Sequence, residues 1–271
     1  MIALKLSKVA FKLRRLLSPK VTIQIGNEQC TFTCETFMEY FRWKTLYGKE
    51  VSTIEWLQST FTQESRLLDI GANIGIYSVF AAIVGGRKSN QVVSIEPGIP
   101  SFSALLRNVA NLSLQDTIVP INAAVSDQQS FEWFYYNTNE SGASGSQLGK
   151  PVNEYGTEFA PTAKERKYTF NLDRLLVDSG LIESGFTHVK IDVDGLEFQI
   201  LKGMVGLLKS DISPEYVQVE INPNLLVVID EFMTECGYHC TARKATAETI
   251  KRVGSQHLVN EIPHNAVYQK A

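Results

Sequence analysis

The chain has 271 residues and a mass of 30.3 kDa, which suits one large domain or one domain with an appendage. Its hydrophobic content of 44% provides for a substantial core, while no apolar run reaches the length of a transmembrane helix. A net charge of −3 and a pI of about 5.9 argue against nucleic acid as a general partner.

The first expected element is a basic amphipathic helix over residues 2–17. Apolar residues recur at helical spacing, the basic residues fall largely on the other side, and no acidic residue occurs before Glu28. Such a helix packs on its own domain or on a second copy in a homo-oligomer, or it lies on an anionic membrane surface as a peripheral contact. A transit peptide is a third interpretation. All three stay open.

Residues 21–34 alternate between apolar and polar side chains around a central Gly-Asn-Glu, a pattern typical of a β-hairpin. Residues 35–47 then carry aromatic side chains at helical spacing, which indicates core packing; a wall of an acceptor site is the alternative. We therefore predict an N-terminal extension over residues 1–48, made of helix, hairpin and aromatic helix. The main domain is expected over residues 49–271.

Four cysteines form two widely separated C-x3-C pairs, Cys30 with Cys34 and Cys236 with Cys240. Zinc sites more often use C-x2-C spacing, so we expect four independent thiols and no bound metal. Unpaired thiols of this kind are usual in the reducing cytoplasm, which is the expected location of the chain, with or without a peripheral membrane contact.

The chain is organised around residues 67–75, whose sequence is LLDIGANIG. An apolar run, two glycines four residues apart and a helix-like stretch predict a buried strand, a tight turn and a helix. We expect that Gly71 and Gly75 lack side chains because a ligand must approach the backbone there. Asp69 is expected at the strand tip, with its carboxylate pointing into the turn.

The next strand, over residues 91–97, ends near Glu96, and the two acids together indicate which nucleotide fits. A dinucleotide fingerprint has the form G-x-G-x-x-G and places a diphosphate on the helix N-terminus. Here the form is G-x-x-x-G, and Asp69 repels a diphosphate. S-adenosylmethionine carries an ammonium and a carboxylate but no phosphate, and Glu96 can accept hydrogen bonds from both hydroxyls of its ribose.

Further strands are expected over residues 117–123, 131–136, 187–193, 215–221, 238–243 and 265–269, and helices over 100–111, 196–209 and 224–236. Strands that alternate with helices predict a doubly wound α/β sheet with mostly parallel strands. Residues 137–167 are rich in Ser, Gly and Asn. They are interpreted as a mobile lid, as part of the acceptor site or as a plain flexible loop.

Charged residues gather on the fourth and fifth core strands. Lys190, Asp192 and Asp194 share one face of an extended segment, and Glu220 ends the following strand. Ligands bind beyond the carboxyl ends of parallel strands, so we predict these four as catalytic residues. An ion pair of Lys190 with one of the acids is the structural alternative, and Mg²⁺ held by the acids and Asn222 is a third.

Four motifs resemble, in order, those of the FkbM family of S-adenosylmethionine-dependent O-methyltransferases. They are residues 69–75 (DIGANIG), 95–97 (IEP), 122–127 (NAAVSD) and 190–197 (KIDVDGLE). The resemblance covers about residues 50–220. The last motif departs from the usual family form, because Asp194 replaces a glutamate, which moves a carboxylate by roughly 1.5 Å. Leu196 also stands where a smaller residue or histidine is common.

This resemblance implies a Rossmann-like methyltransferase sheet of seven strands, S-adenosylmethionine as the cofactor, and methyl transfer to a hydroxyl of a sugar, glycolipid or secondary metabolite. It does not imply a metal. It also implies that Glu50 and Thr53 face the methionine end of the cofactor; a helix-terminal acid is the alternative role of Glu50. The expected cofactor-binding residues are Glu50, Thr53, Asp69, Gly71, Asn73, Gly75, Glu96, Pro97, Asn122, Ala123 and Asp192.

Transfer to a hydroxyl requires an acceptor oxygen held in line with the departing sulfur and a base that takes its proton. Which of the four candidate residues is the base stays open. Two other classes of protein stay in view. One is a nicotinamide-dependent oxidoreductase, which the missing third glycine disfavours, and the other is a non-catalytic nucleoside-binding module docked on a membrane.

Overall fold

The computed structural model describes residues 13, 17–49, 51–153, 156–183, 185–246, 249–251, 254 and 256–271. The basic helix expected over residues 2–17, apart from Leu13 and Leu17, lies outside these ranges, as does the expected cofactor residue Glu50. Within them, no helix combines the length and the apolar character that crossing a membrane requires.

The strands are β1 Lys20–Ile25, β2 Glu28–Thr33, β3 Leu67–Ile70, β4 Val92–Ile95, β5 Ile118–Ile121, β6 Ala124–Ser126, β7 Ser130–Tyr136, β8 Gln147–Leu148, β9 Ala163–Asn171, β10 His188–Ile191, β11 Tyr216–Ile221, β12 Tyr238–Lys244 and β13 His264–Lys270. The helices are α1 Phe37–Lys44, α2 Leu46–Lys49, α3 Val51–Thr60, α4 Ile76–Val84, α5 Ile99–Asn111, α6 Leu172–Asp178, α7 Glu197–Gly203, α8 Val205–Lys209 and α9 Leu226–Glu235. Every core strand expected from the sequence is present, with bounds shifted by a few residues.

Seven of the described strands form one sheet in the order β12-β13-β11-β10-β3-β4-β5. Four neighbouring pairs are parallel: β11 with β10, β10 with β3, β3 with β4, and β4 with β5. Strand β13 instead pairs antiparallel with both β11 and β12. The doubly wound α/β fold is therefore confirmed, as a mixed sheet with an antiparallel edge.

Hydrophobic side chains fill both faces of this sheet. Successive residues of a strand point to opposite faces, so Leu67 packs into one cluster and Leu68 into the other. The first cluster includes α3, α4 and α5 together with the β1–β2 hairpin and α1, where the rings of Phe32 and Trp43 stack 3.5 Å apart. The second includes α6 to α9. The N-terminal hairpin and α1 thus share a core with the main sheet.

A smaller sheet in the order β6-β9-β7-β8 stands beside the main one. Its centre is the antiparallel pair of β7 and β9, from Ser130 opposite Thr169 to Tyr136 opposite Ala163. The single long loop interpreted over residues 137–167 therefore contains β8 and the start of β9. The pairing supplies the backbone hydrogen bonds of β9, although its sequence, AKERKYTFN, has few apolar residues to indicate a strand.

The turn after β3 is packed tightly against the end of β10. Gly71 and Gly75 have φ angles of 79° and 85°, in the left-handed region. A Cβ on Gly71 would lie 1.9 Å from the carbonyl oxygen of Asp192, and one on Gly75 would lie 2.4 Å from Cδ1 of Leu105. Packing within the chain is therefore by itself a sufficient physical reason for both glycines.

Gly71→Ala is expected to lower the free energy of unfolding by about 3 kcal/mol, because the new methyl group meets a backbone atom and the residue is strained at positive φ. Gly149→Ala is the matched control, since Gly149 has a φ of 85° and no atom within 4 Å of its Cβ position. We expect the control to lose about 1 kcal/mol. Urea unfolding measures both, and equal losses would contradict the packing argument.

Candidate active site

A cleft of about 840 Å³, counting the part open to solvent, lies at the carboxyl ends of β3, β4 and β10. The first residue after each strand lines it: Gly71, Glu96 and Asp192. Phe134 and Tyr136 of the smaller sheet form another wall. The cleft has the size of a cofactor site and occupies the place where parallel sheets bind ligands.

Glu96 is held at one side of the cleft by backbone groups. Its Oε2 accepts from Asn73 N at 2.8 Å and its Oε1 from Gly98 N at 2.7 Å. Burial raises the pKa of Glu96 to about 7, although both N–H groups favour the ionised form. Asn122 Nδ2 donates to the carbonyl oxygens of Glu96 at 2.8 Å and Pro97 at 3.1 Å, so it fixes the backbone of this wall.

Asp69 lies one residue before the end of β3, beneath the cleft. Its Oδ2 accepts from Ser78 Oγ at 2.6 Å, and Ser78 Oγ in turn lies 2.7 Å from Ser94 Oγ. Burial raises the pKa of Asp69, whereas the charge of Lys190 and the hydrogen bond from Ser78 oppose the rise. The carboxylate expected to point into the turn faces α4 instead, because β3 continues through Ile70.

Lys190, Asp192 and Glu220 form one connected group. Lys190 Nζ donates to Asp192 Oδ2 at 2.8 Å and lies 4.2 Å from the ring centroid of Tyr77. Burial alone would raise the pKa of Asp192, but Lys190 and the hydrogen bond from Glu220 outweigh it and the pKa falls. Burial and the charges of Asp192 and Asp194 hold the pKa of Glu220 well above its ordinary value. Asp192 is thus an ionised acid beside a protonated one.

Asp194 lies at the junction of the cleft and a neighbouring groove, since it lines both. Its φ of 58° is unusual for a residue with a side chain. Its Oδ2 accepts from Gly145 N at 2.7 Å, and its carbonyl oxygen accepts from Gln147 Nε2 at 2.8 Å. The groove is also lined by Asn222 and Asn224. A ligand in the groove would meet a ligand in the cleft at Asp194.

Residues 141–147, which we call the cover, close one side of the cleft. Ala143 O accepts from Asn73 Nδ2 at 2.8 Å, and Ser141 O accepts from Thr36 Oγ1 at 2.7 Å. Gly142 N donates to Ser101 Oγ at 3.3 Å. The cover is therefore fastened to the β3 turn, to the start of α1 and to α5.

The structure brings half of the expected site residues to the cleft wall. The lining includes Gly71, Asn73, Glu96, Pro97, Ala123, Asp192 and Asp194. Lys190, Glu220 and Asn122 lie behind this wall and contact it through the bonds described above. Asp69 also lies behind it, but its hydrogen bond joins it to Ser78, which is outside the lining. Gly75 packs on Leu105, and Thr53 is fully buried in α3 outside the lining.

Phe134, Tyr136 and Ser101 also line the cleft, and they are not among the site residues that the sequence predicts. The alternating aromatic residues over 131–136 are the available signal for the first two, and that pattern predicts only a strand. Tyr136 is fixed in place, because its hydroxyl donates to Glu165 Oε1 at 2.6 Å and accepts from Ile99 N at 3.2 Å.

The four cysteines are free thiols; three are buried and Cys240 is partly exposed. Among the residues that the structure describes, no three His, Cys, Asp or Glu side chains are grouped as metal ligands. The zinc and magnesium alternatives therefore find no ligand cluster in this part of the chain.

Comparison with known proteins gives matches over most of the chain. The family described as methyltransferase FkbM domain matches residues 69–240. The hexuronic acid methyltransferase AglP of Haloferax volcanii is 28% identical over 214 residues, which cover 79% of this chain and 79% of that protein.

Two solved structures were also compared with the chain. Methyltransferase FkbM from Methylobacillus flagellatus KT has a TM-score of 0.48 and 15% identity, covering 77% of this chain and 44% of that one. M. jannaschii TYW2 in complex with AdoMet has a TM-score of 0.44 and 10% identity, covering 94% and 88%. The chain thus spans less than half the length of the Methylobacillus protein.

The buried carboxyl of Glu197 provides a test of the electrostatics below the cleft. Its Oε1 accepts from Gly195 N at 3.0 Å and Val193 N at 3.3 Å, while Oε2 is buried and has no hydrogen-bond partner among the described residues. Burial raises the pKa of Glu197 to about 7. The folded state then holds a proton that the unfolded state has lost, so stability falls as the pH rises from about 4.5 to about 7.

Glu197→Gln cannot ionise and is expected to escape this loss. We subtract the free energy of unfolding of the unmodified chain from that of the variant at each pH. This difference should be about 2 kcal/mol larger at pH 8 than at pH 5. Urea unfolding at the two pH values measures the difference, with Glu231→Gln on the exposed side of α9 as the control. A difference that is the same at both pH values would contradict the raised pKa.

Proposed function

Because the chain belongs to the FkbM methyltransferase family, we propose that it is an S-adenosylmethionine-dependent O-methyltransferase whose acceptor is a hydroxyl of a sugar or glycolipid. The observation that carries this proposal is the pair of acids on two walls of one cleft, Glu96 and Asp192. We assign Glu96 to bind the ribose and Asp192 to take the proton. The relative that is a hexuronic acid methyltransferase supports a sugar as the acceptor.

The walls of the cleft fit a positively charged nucleoside. Among the described lining residues none is Lys or Arg, whereas Glu96, Glu140, Asp192 and Asp194 are acidic. A sulfonium and an ammonium are favoured beside these carboxylates, and a diphosphate is repelled. Small side chains at Ala123 and Ala124 leave room for a flat ring. The nicotinamide-dependent alternative has no comparable support.

S-adenosylmethionine would supply an activated methyl group, so the chain has two tasks. It holds the acceptor oxygen in line with the methyl group, and it removes the proton as the O–CH3 bond forms and the S–CH3 bond breaks. Asp192 is the proposed base, because its carboxylate is ionised and lines the cleft. Lys190 and the protonated Glu220 hold that carboxylate in one orientation through their hydrogen bonds to it.

The groove that meets the cleft at Asp194 is the proposed acceptor site. Asn222 and Asn224 line it, and amide side chains both donate and accept hydrogen bonds, as sugar hydroxyls do. Asp194 stands where the two depressions join, so a hydroxyl of a sugar in the groove would come close to Asp192. This arrangement separates acceptor recognition from the cofactor cleft.

Asp192→Asn is expected to lower the rate of methyl transfer by at least about 100-fold, because the amide cannot take the proton. The assay is transfer of a labelled methyl group to a panel of uronic-acid and neutral glycosides, with the product identified by its gain of one CH2 group. Asp178→Asn, which removes an exposed ion pair with Arg174, is the control and should keep full activity. Full activity of Asp192→Asn would remove this residue from the mechanism.

Binding of the nucleoside should depend on pH through Glu96. Its pKa of about 7 means that the carboxylate is protonated at pH 6 and ionised at pH 8, and only the ionised form accepts from both ribose hydroxyls. Affinity for 5′-methylthioadenosine, which does not titrate in this range, should therefore rise roughly fivefold to tenfold from pH 6 to pH 8. Calorimetry measures it. Glu96→Gln should bind with no such dependence, and an unchanged slope would contradict the role of Glu96.

A further inference from the structure

Arg42 of α1 is a cation beside the cleft that no step of the proposed mechanism uses. Its Nε donates to the carbonyl oxygen of Gly142 in the cover. Within the described residues, Nη1 and Nη2 form no hydrogen bond with the protein. Neither nitrogen is fully buried, so both remain accessible. One edge of the guanidinium is therefore anchored and the other is open.

The cover places this guanidinium close to the cleft. A Cβ on Gly142 would lie 3.0 Å from Glu39 N and 3.1 Å from the carbonyl carbon of Met38, so the cover lies directly on α1. The next residue, Ala143, lines the cleft, as does Ser101, which accepts from Gly142 N. The charge of Arg42 also opposes the rise that burial causes in the pKa of Glu96, and it contributes to the lowered pKa of Asp192; these two acids stand on different walls.

Other cations near the cleft are neutralised by carboxylates. Lys190 pairs with Asp192 at 2.8 Å and Lys167 with Glu165 at 2.9 Å. The acid one turn before Arg42 on α1 is Glu39, which has other partners. Its Oε2 pairs with Arg107 Nη2 at 2.6 Å and accepts a hydrogen bond from Glu35 N at 3.0 Å. Its Oε1 accepts from Ser141 Oγ.

Among the described residues, Arg42 has only a carbonyl oxygen as its partner. A half-buried guanidinium that has no counter-ion within the described part of the chain favours an anionic group on the ligand. Its open nitrogens match the two oxygens of a carboxylate.

We propose that Arg42 binds a carboxylate of a ligand in the cleft through Nη1 and Nη2. The inference rests on the proposed function, in which two ligands can present that group. One is the α-carboxylate of the methionine part of the cofactor, and the other is the carboxylate of a uronic-acid acceptor. The chemistry is the same for both, and the experiment distinguishes them.

Arg42→Met removes the charge and keeps an unbranched side chain. Calorimetry compares its affinity for S-adenosylhomocysteine with that for 5′-methylthioadenosine, which lacks the amino-acid part. If the carboxylate is that of the cofactor, affinity for the first should fall roughly 30-fold and for the second stay unchanged. If it is that of the acceptor, both nucleosides bind as before, and the KM for a uronic-acid glycoside rises at least about tenfold while that for a neutral glycoside does not.

Thr36→Val is the control for a purely mechanical role, because it removes another fastening of the cover, together with the hydrogen bond from Glu39 N that caps α1, without changing charge. It should alter the affinities for both nucleosides by the same factor. The same equal loss in Arg42→Met, or no change in any of the four measurements, would overturn the proposal. Failure of the unmodified chain to bind either nucleoside would instead refute the proposed function, and the carboxylate site with it.

Discussion

The buried ammonium of Lys190 is the charge on which the arrangement of the cleft depends. The residue is 1% exposed, and a buried ammonium is costly unless it is paired. Its partner is Asp192, and in the β10–β3 ladder it stands directly opposite Asp69. Lys190 keeps Asp192 ionised, and the charge of Asp192 in turn helps to keep Glu220 protonated. Neighbouring acids with opposite pKa shifts are typical of sites that move protons.

The sequence was sufficient to predict the main sheet and the position of the cleft. Residues 67–75 combine an apolar run with two glycines, and this local pattern alone predicts strand, turn and helix. The carboxyl ends of parallel strands then bring Glu96, Asp192 and Asp194 together, because sheet topology places them side by side. These inferences need only local periodicity and one rule of topology.

Other features depend on contacts between distant parts of the chain. The direction of the Asp69 side chain depends on a single residue at the end of β3, because successive residues of a strand point to opposite faces of the sheet. The contact between Gly71 and the Asp192 carbonyl joins positions far apart in sequence. The cover is fastened to Thr36 and Asn73 through its backbone oxygens, which carry no sequence signal. The charged strand β9 is specified by pairing with β7.

The central claim is that the cleft accepts a cationic sulfur nucleoside and excludes a dinucleotide. Titration calorimetry of the full, unmodified chain with S-adenosylmethionine and, separately, with NAD tests it most directly. The account predicts saturable one-site binding of S-adenosylmethionine and no heat of binding for NAD under the same conditions. Binding of NAD, with none for S-adenosylmethionine, would contradict it.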